Sequence, residues 1–236
     1  MSKHVIFCLP FYERPTKHVI AAFEAEIPLI VAAGWTEGLA QSCGNAYISA
    51  ARAELVRRAL DAKADVIVFV DYDLSWRPGD LLKLLETPGD VVAGTYRYRQ
   101  DKEEYMGNWH VYADSPTYKG GRPVLRDDGC IKAIGVPAGF LKLTPAAVSK
   151  FMRAWPELVY GVAWAPSVDL FNHGAHDGIW WGEDMAFSRR WTEKCGDIWL
   201  VPDLEITHWT GDTPYRGNLH EWLMRLPGGS KDLNQA

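Results

Sequence analysis

The run Val66-Ile67-Val68-Phe69-Val70 is unbroken by any polar residue, rich in β-branched side chains, and ends on Asp71-Tyr72-Asp73. A strand with no polar alternation is buried on both faces, as in the parallel sheet of an α/β protein. The flanking sequence fits that reading. Val5 to Leu9 is a second short apolar run, stopped by Pro10, and Val91-Val92-Ala93 is a third. Helical patterns lie between them. Thr16 to Ala33 is helix-compatible, with Pro28 as the expected break. Asn45 is the expected cap of a helix with Ile48, Ala51, Leu55 and Ala59 on one stripe and Arg52, Glu54, Arg57, Arg58 and Asp61 on the other face. Pro78 suits the first turn of a third helix, with Leu81, Leu84 and Leu85 inward. Strands alternating with helices predict an α/β fold: a mainly parallel central sheet flanked by helices.

The pattern changes at Thr95. Residues 95–128 are polar and rich in Tyr, Arg, Lys and Gly, and read as a long excursion or lid. Regular structure resumes over Ile131 to Leu143. Thr144-Pro145 is a strong helix start, followed by Val148, Phe151, Met152 and Trp155 at helical spacing. Glu183 to Lys194 reads as a helix ended by Gly196, and Ile198 to Val201 as a strand. Residues 209–236 read as a polar C-terminal tail on the surface. The 236 residues make one domain.

Charge and cysteine usage narrow the function classes. The formal net charge is −5, which argues against coating nucleic acid by bulk charge but leaves room for a local basic groove. Cys8, Cys43, Cys130 and Cys195 form no CxxC pair and read as reduced thiols. No apolar stretch reaches membrane-spanning length or forms a signal-peptide core, so no membrane partner and a cytoplasmic location are expected. One count is unusual: 11 Trp against 5 Met.

Several groups can carry chemistry. Asp71 and Asp73 follow the buried strand, where ligands of open α/β sheets sit, and two carboxylates at i, i+2 can face one Mg²⁺ or Mn²⁺. Asp is also common in turns after strands. Trp180-Trp181-Gly182-Glu183-Asp184 begins a helix. The helix dipole alone favours acids there, but two preceding indoles suggest a ring-binding pocket with a carboxylate able to take a proton. His208 suits a further ligand beside carboxylates. His173-x-x-His176-Asp177 lacks the HExxH pattern and reads as a loop. Arg52, between two alanines, can point to a phosphate. Tyr96-Arg97-Tyr98-Arg99, with Lys102, Tyr105, Trp109, Tyr112, Tyr118 and Lys119, interleaves rings and cations as single-stranded nucleic acid requires. A decorated surface loop has the same composition.

In this order, the pieces resemble a GT-A-fold (Rossmann-related) nucleotide-sugar glycosyltransferase. They are Val5–Leu9 with Pro10, Ala51-Arg52-Ala53-Glu54-Leu55, Val66–Val70 with Asp71-Tyr72-Asp73, Val91–Gly94, Gly139-Phe140-Leu141, Gly182-Glu183-Asp184 with Phe187, and Thr207-His208. The likeness runs from about Val5 to His208 and is to small, often phage-encoded members. It implies an Mn²⁺- or Mg²⁺-dependent hexosyl- or pentosyltransferase with a nucleotide-diphosphate sugar donor, UDP-linked by expectation. By resemblance Asp73 and His208 bind the metal, with Asp71 near metal and ribose. Pro10, Phe11, Tyr12 and Glu13 meet the base, Arg52 and Tyr72 face the nucleotide, and Gly139 borders the donor sugar. Asp184 is the general base, with Glu183 beside it. Trp181, Trp180, Trp76, Arg97 and Trp109 are the expected sugar- or acceptor-stacking residues. Residues 95–128 match no family element and are assigned to the acceptor side.

The acceptor hydroxyl stays open at this level. A 5-hydroxymethylated pyrimidine in phage DNA fits the phage-like resemblance and the Tyr/Arg/Lys excursion. In that case the protein works in the host cytoplasm. A glycan, a lipid-linked sugar or a protein hydroxyl fits the aromatic residues equally. A non-catalytic sugar- or nucleotide-binding module would not need both Asp73 and Asp184, and a nucleotidyltransferase would release pyrophosphate instead.

Overall fold

The computed structural model describes residues 2–113 and 121–226. Tyr118 and Lys119 of the excursion lie outside the described residues. The first half contains β1 (Lys3–Phe11), α1 (Lys17–Ala32), β2 (Trp35–Cys43), α2 (Ile48–Asp61), β3 (Val66–Val70), β4 (Leu74–Trp76), α3 (Asp80–Glu86), β5 (Val91–Ala93) and β6 (Asn108–Trp109). The second half contains β7 (Ile131–Gly135), β8 (Phe140–Leu143), α4 (Pro145–Ala154), β9 (Val159–Val162), β10 (Ala165–Val168), β11 (Gly174–His176) and β12 (Ile179–Trp181). It ends with α5 (Glu183–Lys194), β13 (Ile198–Leu200), β14 (Glu205–Thr210), β15 (Thr213–Asn218) and α6 (Leu219–Arg225).

The central sheet has the order β2-β1-β3-β8-β5-β13-β7-β6. Strands β2, β1, β3, β5, β13 and β6 run one way; β8 and β7 run the other. The sheet is thus mostly parallel in direction, while the two reversed strands make it mixed in pairing. It separates two apolar cores, which explains the unbroken runs. Alternate residues of β3 divide between them: Ile67 and Phe69 pack with α2, α4, α5 and α6, whereas Val66, Val68 and Val70 pack with α1, α3 and β4. Trp191 and Trp155 sit in the first core as their helical spacing predicts.

Four expectations are corrected. Helix α1 runs through Pro28. That proline is exposed, as is Glu24, so the carbonyl it leaves unbonded faces water while Glu26 and Ile30 stay buried. Asn45 does not cap α2; its Oδ1 accepts from the Tyr47 amide at 3.0 Å, and the helix starts after Tyr47 with no side-chain cap. Arg52 is not on the polar face of α2 but buried. The described residues after His208, 209–226, complete a hairpin and form a helix whose Leu219 and Leu223 join the core, rather than a surface tail; the rest of the expected tail lies outside the described residues. Strand β2 and the hairpins β9–β10 and β11–β12 are additional to the sequence reading.

A second sheet, β15-β14-β4, sits beside the first. Its register sets His208 opposite Leu74, the residue after Asp73, and the Trp209 amide donates to the Asp73 carbonyl at 2.9 Å. Trp209 is also clamped from outside. Its ring stacks on His18 at 3.5 Å, and its Nε1 donates to Ser75 Oγ at 2.8 Å.

Candidate functional site

Strands β1 and β3 are neighbours, but the chain leaves β1 towards β2 on one side and continues from β3 to the other. The loops beyond their carboxyl ends diverge and open a crevice. A cavity of about 350 Å³ fills it, lined by Pro10, Phe11, Tyr12, Arg52, Asp71, Tyr72, Asp73, Glu183 and His208, all expected from sequence. Tyr96, Arg99, Met106, the turn at Asn45 and Ala46, and Ile48 and Ala51 of α2 complete the wall. Glu13 lines an adjoining cleft with Arg14 and Lys17. A larger cleft of about 810 Å³ lies between α3 and residues 128–130 and 201–203, away from these carboxylates.

Asp71 is held from several sides. Its amide donates to the Gly139 carbonyl at 2.8 Å, and its Oδ1 accepts from Arg52 Nη2 at 2.9 Å. The Tyr96 hydroxyl lies 3.4 Å from Oδ2. Gly139 is glycine because a Cβ there would come within 2.3 Å of both Asp71 Oδ2 and Tyr96 Oη. Its place is therefore behind Asp71. Arg52 also donates to the Ala138 carbonyl at 2.9 Å and lies 3.8 Å from Glu183. Burial works against its charge, but Asp71 and then Glu183 more than offset this, and its pKa is raised. Arg52 thus joins the two acidic motifs. Burial, reinforced by Asp71, pushes the Tyr96 hydroxyl well above its ordinary value, so it stays neutral.

Asp73 is buried, and His208 Nε2 lies 3.8 Å from its Oδ2. The other ring nitrogen, Nδ1, donates to the Arg97 carbonyl at 2.9 Å. A carbonyl can only accept, so Nε2 carries the lone pair. Burial holds His208 below the ordinary imidazole pKa, with the Arg99 charge adding to this. A carboxylate oxygen and an unprotonated imidazole nitrogen facing one point suit Mn²⁺ or Mg²⁺, with a diphosphate supplying further oxygens. Among the described residues no third His, Cys, Asp or Glu joins them, so Asp71 is not gathered into a three-donor set. Arg99 occupies the position instead: it pairs with Asp73 Oδ2, and its Nε donates to His208 Nε2 at 2.8 Å.

Glu183 and Asp184 form the first turn of α5, on the far side of Arg52. Burial, then the neighbouring Glu183 charge, pushes Asp184 up to about 6. Such a carboxylate is matched to proton transfer near neutral pH.

No protein-family model matches the sequence, and no curated protein matches it either. Among solved structures the chain is similar to A197 from STIV, with a TM-score of 0.50 at 14% identity over 88% of this chain and 86% of that one. This is a likeness of fold. Looser similarities are to S. aureus TarS 1–349 (TM-score 0.48, 10% identity, 99% of this chain, 68% of that one) and to the catalytic domain of Drosophila β1,4-galactosyltransferase 7 in complex with xylobiose (0.45, 13%, 100%, 79%).

Some expected stacking residues are elsewhere. Trp76 is buried against Phe23 and Phe140, its Nε1 donating to the buried Glu26 at 3.1 Å; it is core. Trp109 is buried at the β6 edge of the sheet and also belongs to the core. Arg97 donates to the carbonyls of Gln100, Asp101 and Arg216 and so fastens its own loop. Trp180 is 71% exposed beside His173, and Trp181 donates to the His176 carbonyl. His173 is bonded to Ser49 and His176 to Asp177, so the histidine pair does not converge. Sequence reasoning placed Tyr96 and Arg99 in a stacking run rather than at the site. The approach of that loop to β14 is a long-range contact with no local signature. No helix among the described residues is long and apolar enough to cross a membrane.

Proposed function

We propose that this chain is a GT-A-like glycosyltransferase that moves a sugar from a nucleotide-diphosphate sugar, UDP-linked by preference, to an acceptor hydroxyl. One observation carries the reading: one cavity at the ends of β1 and β3 joins a cation-facing pair, Asp73 and His208, across buried Arg52 to Glu183, with Asp184 the next residue in the same first turn of α5. Asp73 and His208 would hold Mn²⁺ or Mg²⁺, which when bound neutralises charge on a departing diphosphate. Pro10, Phe11 and Tyr12 form the wall for the nucleotide base. Arg52 holds Asp71 by a hydrogen bond and offsets part of the negative charge of Asp71 and Glu183. Asp184 takes the acceptor's proton on a carboxylate oxygen as the hydroxyl attacks, and the local negative charge favours an oxocarbenium-like sugar.

A carbohydrate hydroxyl is the favoured acceptor. Of the residues that suggested DNA, Tyr98 and Tyr112 are exposed, but Arg97 is taken up by the backbone carbonyls of Gln100, Asp101 and Arg216, and Tyr105 and Trp109 are buried; the exposed Trp180 lies just ahead of Glu183 and offers a face to a sugar ring. The test is incubation with UDP-sugars and Mn²⁺, read by nucleoside diphosphate release and by mass gain on oligosaccharides or on hydroxymethylated DNA. Mn²⁺-stimulated UDP release with gain on an oligosaccharide is expected. Gain on DNA alone would reverse the acceptor reading. Pyrophosphate release would make the chain a nucleotidyltransferase, and binding without donor turnover would make it a binding module.

A further inference from the structure

Asp73 and His208 are both fixed by the backbone around them. The Asp73 carbonyl accepts from Trp209, the His208 ring donates to the Arg97 carbonyl, and β4–β14 pairing sets their register. The third member is different. Arg99 reaches in from the 97–105 loop on a long side chain that is 39% exposed. Its guanidinium satisfies both donor atoms at once, Asp73 Oδ2 and His208 Nε2. A divalent ion bound to the same two atoms would sit roughly 2.0–2.2 Å from each. That position overlaps Arg99 Nε, which is 2.8 Å from His208 Nε2.

We infer that Arg99 and a divalent cation are alternative occupants of the Asp73–His208 pair, so that the chain's own guanidinium closes the cation site until it is displaced. The inference rests on the cation reading of that pair and adds a competitor built into the sequence. Its physical content is simple. A bound ion must break a charge-assisted hydrogen bond to His208 and an ion pair to a buried carboxylate, and that cost lowers the apparent affinity for the free ion.

The experiment measures binding of Mn²⁺ alone, with no nucleotide, by titration calorimetry and by the loss of the free-Mn²⁺ electron paramagnetic resonance signal. Arg99→Gln and Arg99→Ala should each bind Mn²⁺ about tenfold tighter than the unsubstituted chain. His208→Ala should lose binding in either background. Melting curves check that each variant is folded. Affinity unchanged or weakened in both Arg99 variants overturns the inference. If that happens while the unsubstituted chain still turns over a UDP-sugar with Mn²⁺, the cation site stands and Arg99 is not its competitor. If no variant binds Mn²⁺ and turnover persists in EDTA, the cation reading itself falls.

Discussion

The Arg52 guanidinium lies 2.9 Å from Asp71 Oδ1, and its side chain is almost sealed from solvent. Removing it leaves a partly buried carboxylate next to Glu183 with no counter-charge. Arg52→Met should therefore destabilise the fold by about 2–3 kcal/mol, less than for a fully buried pair because Asp71 retains some solvent contact. Urea unfolding followed by circular dichroism measures it. Wild-type stability in Arg52→Met would show that Asp71 does not depend on this partner.

Gly139→Ala places a methyl where Asp71 Oδ2 and Tyr96 Oη now lie. Asp71 must move, so donor turnover should fall at least about tenfold while far-UV dichroism is kept. Retained turnover would mean that the position of Asp71 is unimportant for the reaction.

Asp73 and Asp184 should separate by function. Asp73→Asn is expected to abolish transfer and weaken Mn²⁺-dependent UDP binding. Asp184→Asn is expected to abolish transfer and leave that binding within about twofold. Calorimetry with UDP and Mn²⁺ distinguishes the two; equal losses of binding would remove Asp184 from its role as base.

The pH dependence follows from Asp184. Its pKa is raised to about 6, so kcat/KM should fall as pH drops below about 6, where the carboxyl keeps its proton. The same shift has a stability consequence. The folded value lies above the ordinary 3.8, so folding favours the protonated form, and the native state loses stability as pH rises from about 4 through about 6. Asp184→Asn removes that loss and should be more stable than wild type at pH 7, by on the order of 2 kcal/mol after discounting for partial exposure, with no gain at pH 3.5. Thermal melts at the two pH values decide it.

Much of the frame was legible because it is local. Val66–Val70, Val5–Leu9 and the Thr144-Pro145 helix start each carry their signal within a few residues; the first and last form as read, and Val5–Leu9 is a strand that runs on through Pro10 to Phe11 instead of stopping there. The acidic pairs could be placed because they adjoin such elements. Arg52 could be assigned to the site, but not its role: that it is buried and bonded to Asp71 and Ala138 is a long-range fact that a polar residue on an amphipathic helix does not announce. Trp76, Trp109 and Trp209 share the same difficulty. Composition counts rings but does not say that one donates to Glu26, one lies in the sheet and one stacks on His18.

The pairing of β4 with β14 also orders events in time. Asp73 leaves the ribosome long before His208, yet the register that joins them requires both strands. During N-to-C synthesis the first carboxylate motif must wait, with its eventual imidazole partner still unmade. A nascent chain stalled before β14 would hold most of its central sheet but no cation-facing pair. The growing chain therefore gains its candidate chemistry late, after its framework.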